Sequence, residues 1–310
     1  MNLDVQGRYP MIYTLTINPS LDYVMEMEHL AIGEMNRSKN TYLLPGGKGI
    51  NVSCVLKNLG VENVAILPVA GFTGDKLLNM LSEKEIVCDA LPLNAGNTRI
   101  NVKVLGQKET ELNADGPKMT EEEISRLIDK FENLQRGDYL VLSGSVPKHL
   151  GDHFYEKIVQ HLEKKEIRVV LDTIGDNFLN ALPFNPFLVK PNKEELEGYF
   201  QKSAGSEKEL IELAKKVQSL GAVNVLVSLG KDGAFLLEEN GQIHKCAAPK
   251  GKVINSVGAG DSMVAGFLAE YIHSGDMISA LKCGIAAGSA SAFSKNLATK
   301  EEIDALMQNL

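Results

Sequence analysis

The 310-residue chain has no tryptophan, and its four cysteines, Cys54, Cys88, Cys246 and Cys283, form no CxxC pair. Scattered cysteines of this kind are expected to be small core fillers in a reducing cytoplasm, not a disulfide frame or a zinc site. The six histidines make neither HExxH nor HxH, so no metal centre built on imidazole is expected. No apolar run reaches the length of a membrane span, and the opening MNLDVQGRYP lacks the charged-then-apolar order of a signal peptide. Basic residues are outnumbered 32 to 40 by acidic ones, a net charge of −8. That balance argues against nucleic acid as a partner while leaving room for a local basic pocket. A Walker A loop, GxxxxGK followed by Ser or Thr, is also missing.

What is present is alternation. MIYTLTI, VAILPVA, YLVLSG, IRVVLDT, FLVKPN and VNVLVSLG are short, mostly branched-chain runs, as suits a parallel sheet buried on both faces. Helical segments lie between them. Thr120 and Glu123 frame a capping box ahead of an apolar face of Ile124, Leu127, Ile128 and Phe131. Ser206 and Glu209 repeat the device in a helix that closes at Gly221. The expected fold is a three-layer α/β/α sandwich with a mostly parallel central sheet.

Two charged, alternating stretches depart from this pattern and read as a small projecting β-sheet over residues 21–45 and 96–114, a lid over a site. A hairpin with an Asn240-Gly241 turn is expected to close through a two-residue loop. One domain over residues 11–310 is expected, with residues 1–10 as a flexible extension.

Two glycine clusters stand out. In INSVGAGDSMVAGF, a strand over KVINS is expected to run through Gly258, Ala259 and Gly260 into a helix that carries Asp261 and ends near Gly275. Glycines at a helix start let backbone amides meet an anion at the positive end of the helix dipole. Asp261 could equally be a plain helix cap. A dinucleotide-binding turn does not fit, since no glycine follows Gly258 and Gly260 in register. The second cluster, LPGGKGINV, supplies Gly46, Gly47, Gly49, the cation Lys48 and the amide of Asn51.

VGAGDSMVAGF and PGGKGINV resemble the two signatures of the PfkB, or ribokinase-like, family of sugar kinases. NPSLDY, SGSVP, KPNKEEL and VSLGKDGA match further family motifs in order from Met11 onward. The resemblance implies ATP-dependent phosphoryl transfer, with Asp261 as base and the amides around Gly258, Ala259 and Gly260 as an anion hole. It implies that Asn192 and Glu195 act on Mg²⁺ through water, and that Lys190, Asn192, Ser228, Gly230, Gly233 and Gly260 hold ATP. Asp22, Gly47, Lys48, Asn51, Ser143 and Arg99 would hold the sugar and its existing phosphate, and Arg37 would add a lid cation, across a subunit boundary. Where the family has Gly-Thr, this chain has Ala298-Thr299, beside the place of a monovalent cation such as K⁺.

The branch it resembles most acts on fructose 1-phosphate at C6, with tagatose 6-phosphate and fructose 6-phosphate as alternative substrates. A homodimer joined through the lid, with sugar phosphate and ATP as the small-molecule partners, is implied. The competing class is a non-catalytic sugar-phosphate sensor, against which the retained acid of GAGD argues.

Overall fold

A computed structural model describes residues 8–107 and 109–310; of the expected N-terminal extension, residues 1–7 lie outside the described residues. The branched-chain runs form the middle of a nine-stranded sheet. Its members are β1 (Ile12–Leu15), β4 (Asn63–Val69), β5 (Cys88–Pro92), β8 (Tyr139–Ser143), β9 (Arg168–Asp172), β10 (Leu188–Val189), β11 (Asn224–Ser228), β12 (Ala234–Leu237) and β13 (Ile243–Cys246). Their spatial order is β13-β12-β11-β10-β9-β8-β1-β4-β5, parallel from β5 to β11 and antiparallel across β12 and β13.

Period-2 side chains from each strand feed opposite cores. Leu140 and Leu142 of β8 pack with α3 (Glu121–Asp129), α4 (Phe154–Leu162), α5 (Asp176–Ala181), α6 (Lys193–Phe200) and α7 (Glu207–Ser219). Tyr139 and Val141 of the same strand face α1 (Lys48–Asn58), α8 (Ala259–Ser274), α9 (Met277–Phe293) and α10 (Lys300–Met307). Beside α1, helix α2 (Gly71–Glu83) covers Ala65 and Leu67 of β4. The sheet is therefore dry on both faces, and each fully buried leucine contributes roughly 1.5–3 kcal/mol. Both capping boxes read from the sequence are formed, at Thr120 with Glu123 and at Ser206 with Glu209.

The two charged stretches build a second sheet of β2 (Ser20–Glu26), β3 (Asn40–Gly46), β6 (Arg99–Leu105) and β7 (Thr110–Leu112), in the order β3-β2-β6-β7. Its central pair, β2 with β6, is parallel. Because 72 residues separate the ends of this pair, Glu26 and Arg99, the sheet can form only together with the sandwich elements between them.

Two expectations are corrected. The β12–β13 connection is longer than a two-residue turn: Glu238 N–H donates to Gln242 O at 2.9 Å, enclosing three residues, and Gly241 takes φ 81° at the left-handed position. The KVINS segment is not a strand. Ile254 and Asn255 give their amides to Ala292 O at the end of α9, at 2.8 and 3.2 Å, leaving no ladder for a neighbour.

Candidate active site

Parallel strands of a sandwich end together, and ligands bind outside their carboxyl ends. Here β1, β8, β9, β10 and β11 deliver Thr16, Ser143, Thr173, Lys190 and Ser228 to one cleft of about 550 Å³, roofed by Asp22, Arg99 and Asn101 of the small sheet. The starts of α1 and α8 close the remaining wall with Lys48, Asn51, Gly258, Gly260 and Asp261.

The α8 start shows that Asp261 is not the helix cap. Gly258 is the N-cap, in the left-handed region at φ 78°, and no side chain caps the helix. Asp261 sits in the first turn, 5% exposed, and Oδ2 accepts from Asn51 Nδ2 at 2.8 Å. It is thus not a cap but a buried carboxylate held by a residue 210 positions earlier. Burial raises its pKa to about 6; the charge of Asp172 pushes the same way, while Lys48, the Asn51 hydrogen bond and Lys190 oppose.

A short sequence reading passes over Asp172 as the polar end of a strand. It is 2% exposed, and one oxygen, Oδ1, lies 3.3 Å from both Lys48 Nζ and Lys190 Nζ. Burial works against its ionisation, but the two lysines outweigh it and hold the carboxyl below its ordinary value. Burial likewise disfavours the Lys48 ammonium, yet Asp172, Asp261 and Glu195 together keep its pKa raised. A Cβ built on Gly260 would lie 3.2 Å from Lys190 Nζ, so this cation stands against the α8 start. Two ammonium groups and a helix N-terminus therefore converge on one point beside Asp261, as a transferring phosphoryl group requires.

Gly47 occupies φ 126°, where a Cβ would strike Thr16 Cγ2 at 2.4 Å, so the start of α1 can close on β1 only as glycine. Across the cleft, Asp22 Oδ1 accepts from Ser20 Oγ at 2.7 Å and Asn101 Nδ2 at 3.0 Å. Arg99 lines the cleft while Nε and Nη2 donate to Asn18 O, at 3.2 and 2.9 Å.

Asn192 and Glu195 both line the cleft and also form the capping box of α6, Asn192 N–H donating to Glu195 Oε2 and Glu195 N–H to Asn192 Oδ1, each at 2.8 Å. The cap uses only Oε2 of Glu195. No group of three or more His, Cys, Asp or Glu side chains able to hold a metal occurs among the described residues. The donor set suits a hydrated cation that brings its own phosphate ligands, and the second oxygen of Asp172, buried without a hydrogen bond, adds negative potential there.

Some expected residues are placed elsewhere. Ala259 is outside the cleft wall, and its amide is already directed at Ser256 O, at 3.3 Å. Gly230 and Gly233 shape the turn after β11 without lining the cleft, with Gly233 O accepting from Leu229 N–H at 2.8 Å. Arg37 is exposed on the β2–β3 connection, away from the cleft, its Nη2 3.6 Å from Met35 Sδ. Conversely, Asn101, Lys103, Glu111 and Asn113 line the cleft and were not singled out from the sequence. Alternation within TRINVKV was the available signal, since it puts Arg99, Asn101 and Lys103 on one face.

Comparison with known proteins gives the family and the fold. Residues 16–304 match the pfkB family of carbohydrate kinases. The chain is 43% identical over 297 residues to 1-phosphofructokinase of Bacillus subtilis, covering 96% of this chain and 97% of that one. It is 36% identical to D-tagatose-1-phosphate kinase of Bacillus licheniformis, covering 95% and 96%. Phosphofructokinase-2 of Escherichia coli has been solved in complex with fructose-6-phosphate, and that structure superposes with a TM-score of 0.91 at 27% identity, covering 97% and 99%. A complex of the same enzyme with potassium superposes equally well, at 28% identity and the same coverage.

Proposed function

The chain belongs to the pfkB family of carbohydrate kinases, phosphotransferases acting on a sugar hydroxyl, and on that footing we propose that it uses ATP to phosphorylate fructose 1-phosphate at C6. The observation that carries the reading is one cleft holding the buried carboxyl of Asp261, two converging lysines and, opposite them, the carboxylate of Asp22 with Arg99. Asp261 takes the proton of the C6 hydroxyl as its oxygen attacks the γ-phosphorus and ADP leaves. Lys48, Lys190 and the Gly260 amide at the start of α8 face the charge that builds on the transferred group. Asn192 and Glu195 would hold the nucleotide's Mg²⁺ through water, and that ion would neutralise phosphate charge. Ser228 faces the nucleotide side of the cleft, and Gly230 and Gly233 support the turn behind it.

At the sugar end, Asp22, Gly47 and Asn51 grip hydroxyls, while Arg99 and Ser143 meet the phosphate already present; Lys48, tied to Asp172 beside Lys190, stands at the transfer end instead. The small sheet acts as the lid that excludes water during transfer. Residues 21–45 and 96–114 form this lid on a single kinase domain, residues 11–310. Ile32 and Met35, 88% and 83% exposed on the β2–β3 connection, support a homodimer joined through the lids. In that dimer Arg37 reaches the partner's site. K⁺ is proposed near Ala298-Thr299, by likeness to the relative crystallised with potassium. The four free cysteines support a cytoplasmic location.

Arg99→Ala is expected to raise KM for the sugar phosphate by about 10–100-fold, the loss of a charged hydrogen bond, with KM for ATP unchanged. Steady-state kinetics varying each substrate checks it. ADP release with fructose 1-phosphate, D-tagatose 1-phosphate and fructose 6-phosphate tests the whole reading. Fructose 1-phosphate should give the highest kcat/KM, and turnover with none of them would reject it. The B. licheniformis relative makes D-tagatose 1-phosphate, with its phosphate also at C1, the second reading.

A further inference from the structure

Lys103 is a cation that neither the phosphoryl-transfer machinery nor the phosphate-binding group uses. It lies on β6, 9% exposed, on the sheet face that carries Asp22 and Asn101. A buried ammonium beside a buried carboxylate ordinarily closes to a direct hydrogen bond near 2.8 Å. Here it does not. Lys103 Nζ stays 3.7 Å from Asp22 Oδ2 and instead donates to Glu111 Oε1 at 2.6 Å.

Glu111 comes from the edge strand β7, where it is the register partner of Lys103. Its other oxygen, Oε2, accepts from Asn113 Nδ2 at 3.3 Å, which steadies the carboxylate. Burial disfavours the Glu111 charge, but bonding to Lys103 prevails and keeps its pKa lowered, so it is ionised at neutral pH. Meanwhile Asp22 Oδ1 is already bonded to Ser20 and Asn101. Oδ2 is the oxygen left to take a sugar hydroxyl.

We propose that Glu111 is a positioning residue that draws the Lys103 ammonium away from Asp22, so that Asp22 Oδ2 stays open to a substrate hydroxyl. The inference rests on the reading of Asp22 as the sugar-gripping carboxylate. Without the Glu111 charge, Lys103 swings onto Oδ2 and the sugar must displace a salt bridge in order to bind. The lysine is thus the competitor and the glutamate its restraint.

The test is a suppressor experiment on the full-length enzyme, with KM for fructose 1-phosphate and for ATP measured separately. Glu111→Gln, close to isosteric, should raise the sugar KM by about 5–10-fold, the scale of one typical net hydrogen bond, and leave the ATP KM alone. Adding Lys103→Met to Glu111→Gln should bring the sugar KM back to within about twofold of the parent, because the competitor is gone. A merely structural role for the pair predicts the reverse, with the double variant worse than either single one. Asp22→Asn is the reference arm and should raise the sugar KM by at least about tenfold. If it does, but Glu111→Gln binds normally or Lys103→Met fails to suppress its defect, the proposal is overturned and the Asp22 reading stands. An Asp22→Asn enzyme with parental KM overturns both. Thermal melts of each variant confirm that kinetics are compared between folded proteins.

Discussion

Asp261→Asn is expected to lower kcat by about 10²–10⁴-fold, the usual cost of losing a general base, and at the same time to make the protein more stable at pH 7. The sign follows from burial, which lifts the Asp261 pKa from 3.8 to about 6. Between those values the folded protein binds a proton that the unfolded chain has released, so stability declines as pH rises through this window. Above pH 6 the full cost of a buried charge is present, about 3 kcal/mol at 1.36 kcal/mol per pH unit. An asparagine carries no charge and can still accept from Asn51, so up to that amount is recovered. In the parent enzyme the same titration makes kcat/KM fall about tenfold per pH unit once the pH drops below about 6. Denaturant unfolding of both proteins at pH 5 and pH 7, beside single-turnover rates, checks both halves. A variant with near-parental turnover would return Asp261 to a structural role.

Asp172→Asn carries the second large effect. The carboxylate is shared by Lys48 and Lys190, and Lys190 is only 6% exposed. Breaking a buried ion pair from one side strands the other charge, which costs about 3–5 kcal/mol. Lys48, 38% exposed along its side chain, can turn to water, so a loss near the lower end, about 3 kcal/mol, is expected. The catalytic consequence has an opposite and separable sign. Removing the Asp172 charge takes away a contribution that raises the Asp261 pKa and frees both lysines to approach it. The acid limb of the kcat/KM profile should therefore move to lower pH even as the protein melts earlier. A variant whose limb stays put would show that Asp172 acts on packing alone.

The sequence made some of this legible and not the rest, for physical reasons. Strands such as YLVLS are identifiable because burial on both faces demands a continuous apolar run, and Thr120 with Glu123 because a cap is satisfied within four residues. The glycines flanking Lys48 and Asp261 are legible because backbone that approaches closely tolerates little else. By contrast, the parallel β2–β6 pairing links segments far apart in the chain and leaves no local mark beyond two alternating stretches. Lys103, Glu111 and Asp172 escaped for the same reason. Each is an ordinary charged residue at a strand position, and its meaning comes only from what the topology sets beside it. The KVINS segment misled because Val253 and Ile254 satisfy strand propensity, yet they are 58% and 55% exposed on a loop tied to Ala292.

The small sheet is joined to the sandwich by four short chain crossings, at 16–19, 47, 93–98 and 113–120. One of them is pinned, with Thr98 N–H bonded to Ala70 O and the Thr73 hydroxyl bonded to Thr98 O, at 2.9 and 2.7 Å. Four close struts oppose sliding and twisting, and on the proposed reading of this sheet as a lid the motion expected of it is a tilt about the line of its attachments. Closure of that kind would order a single rotation rather than a loop's many torsions, at a correspondingly small cost in entropy. On the proposed reading, Asp22, Asn101 and Lys103, held in register on the underside of such a hinged panel, would meet the sugar already assembled.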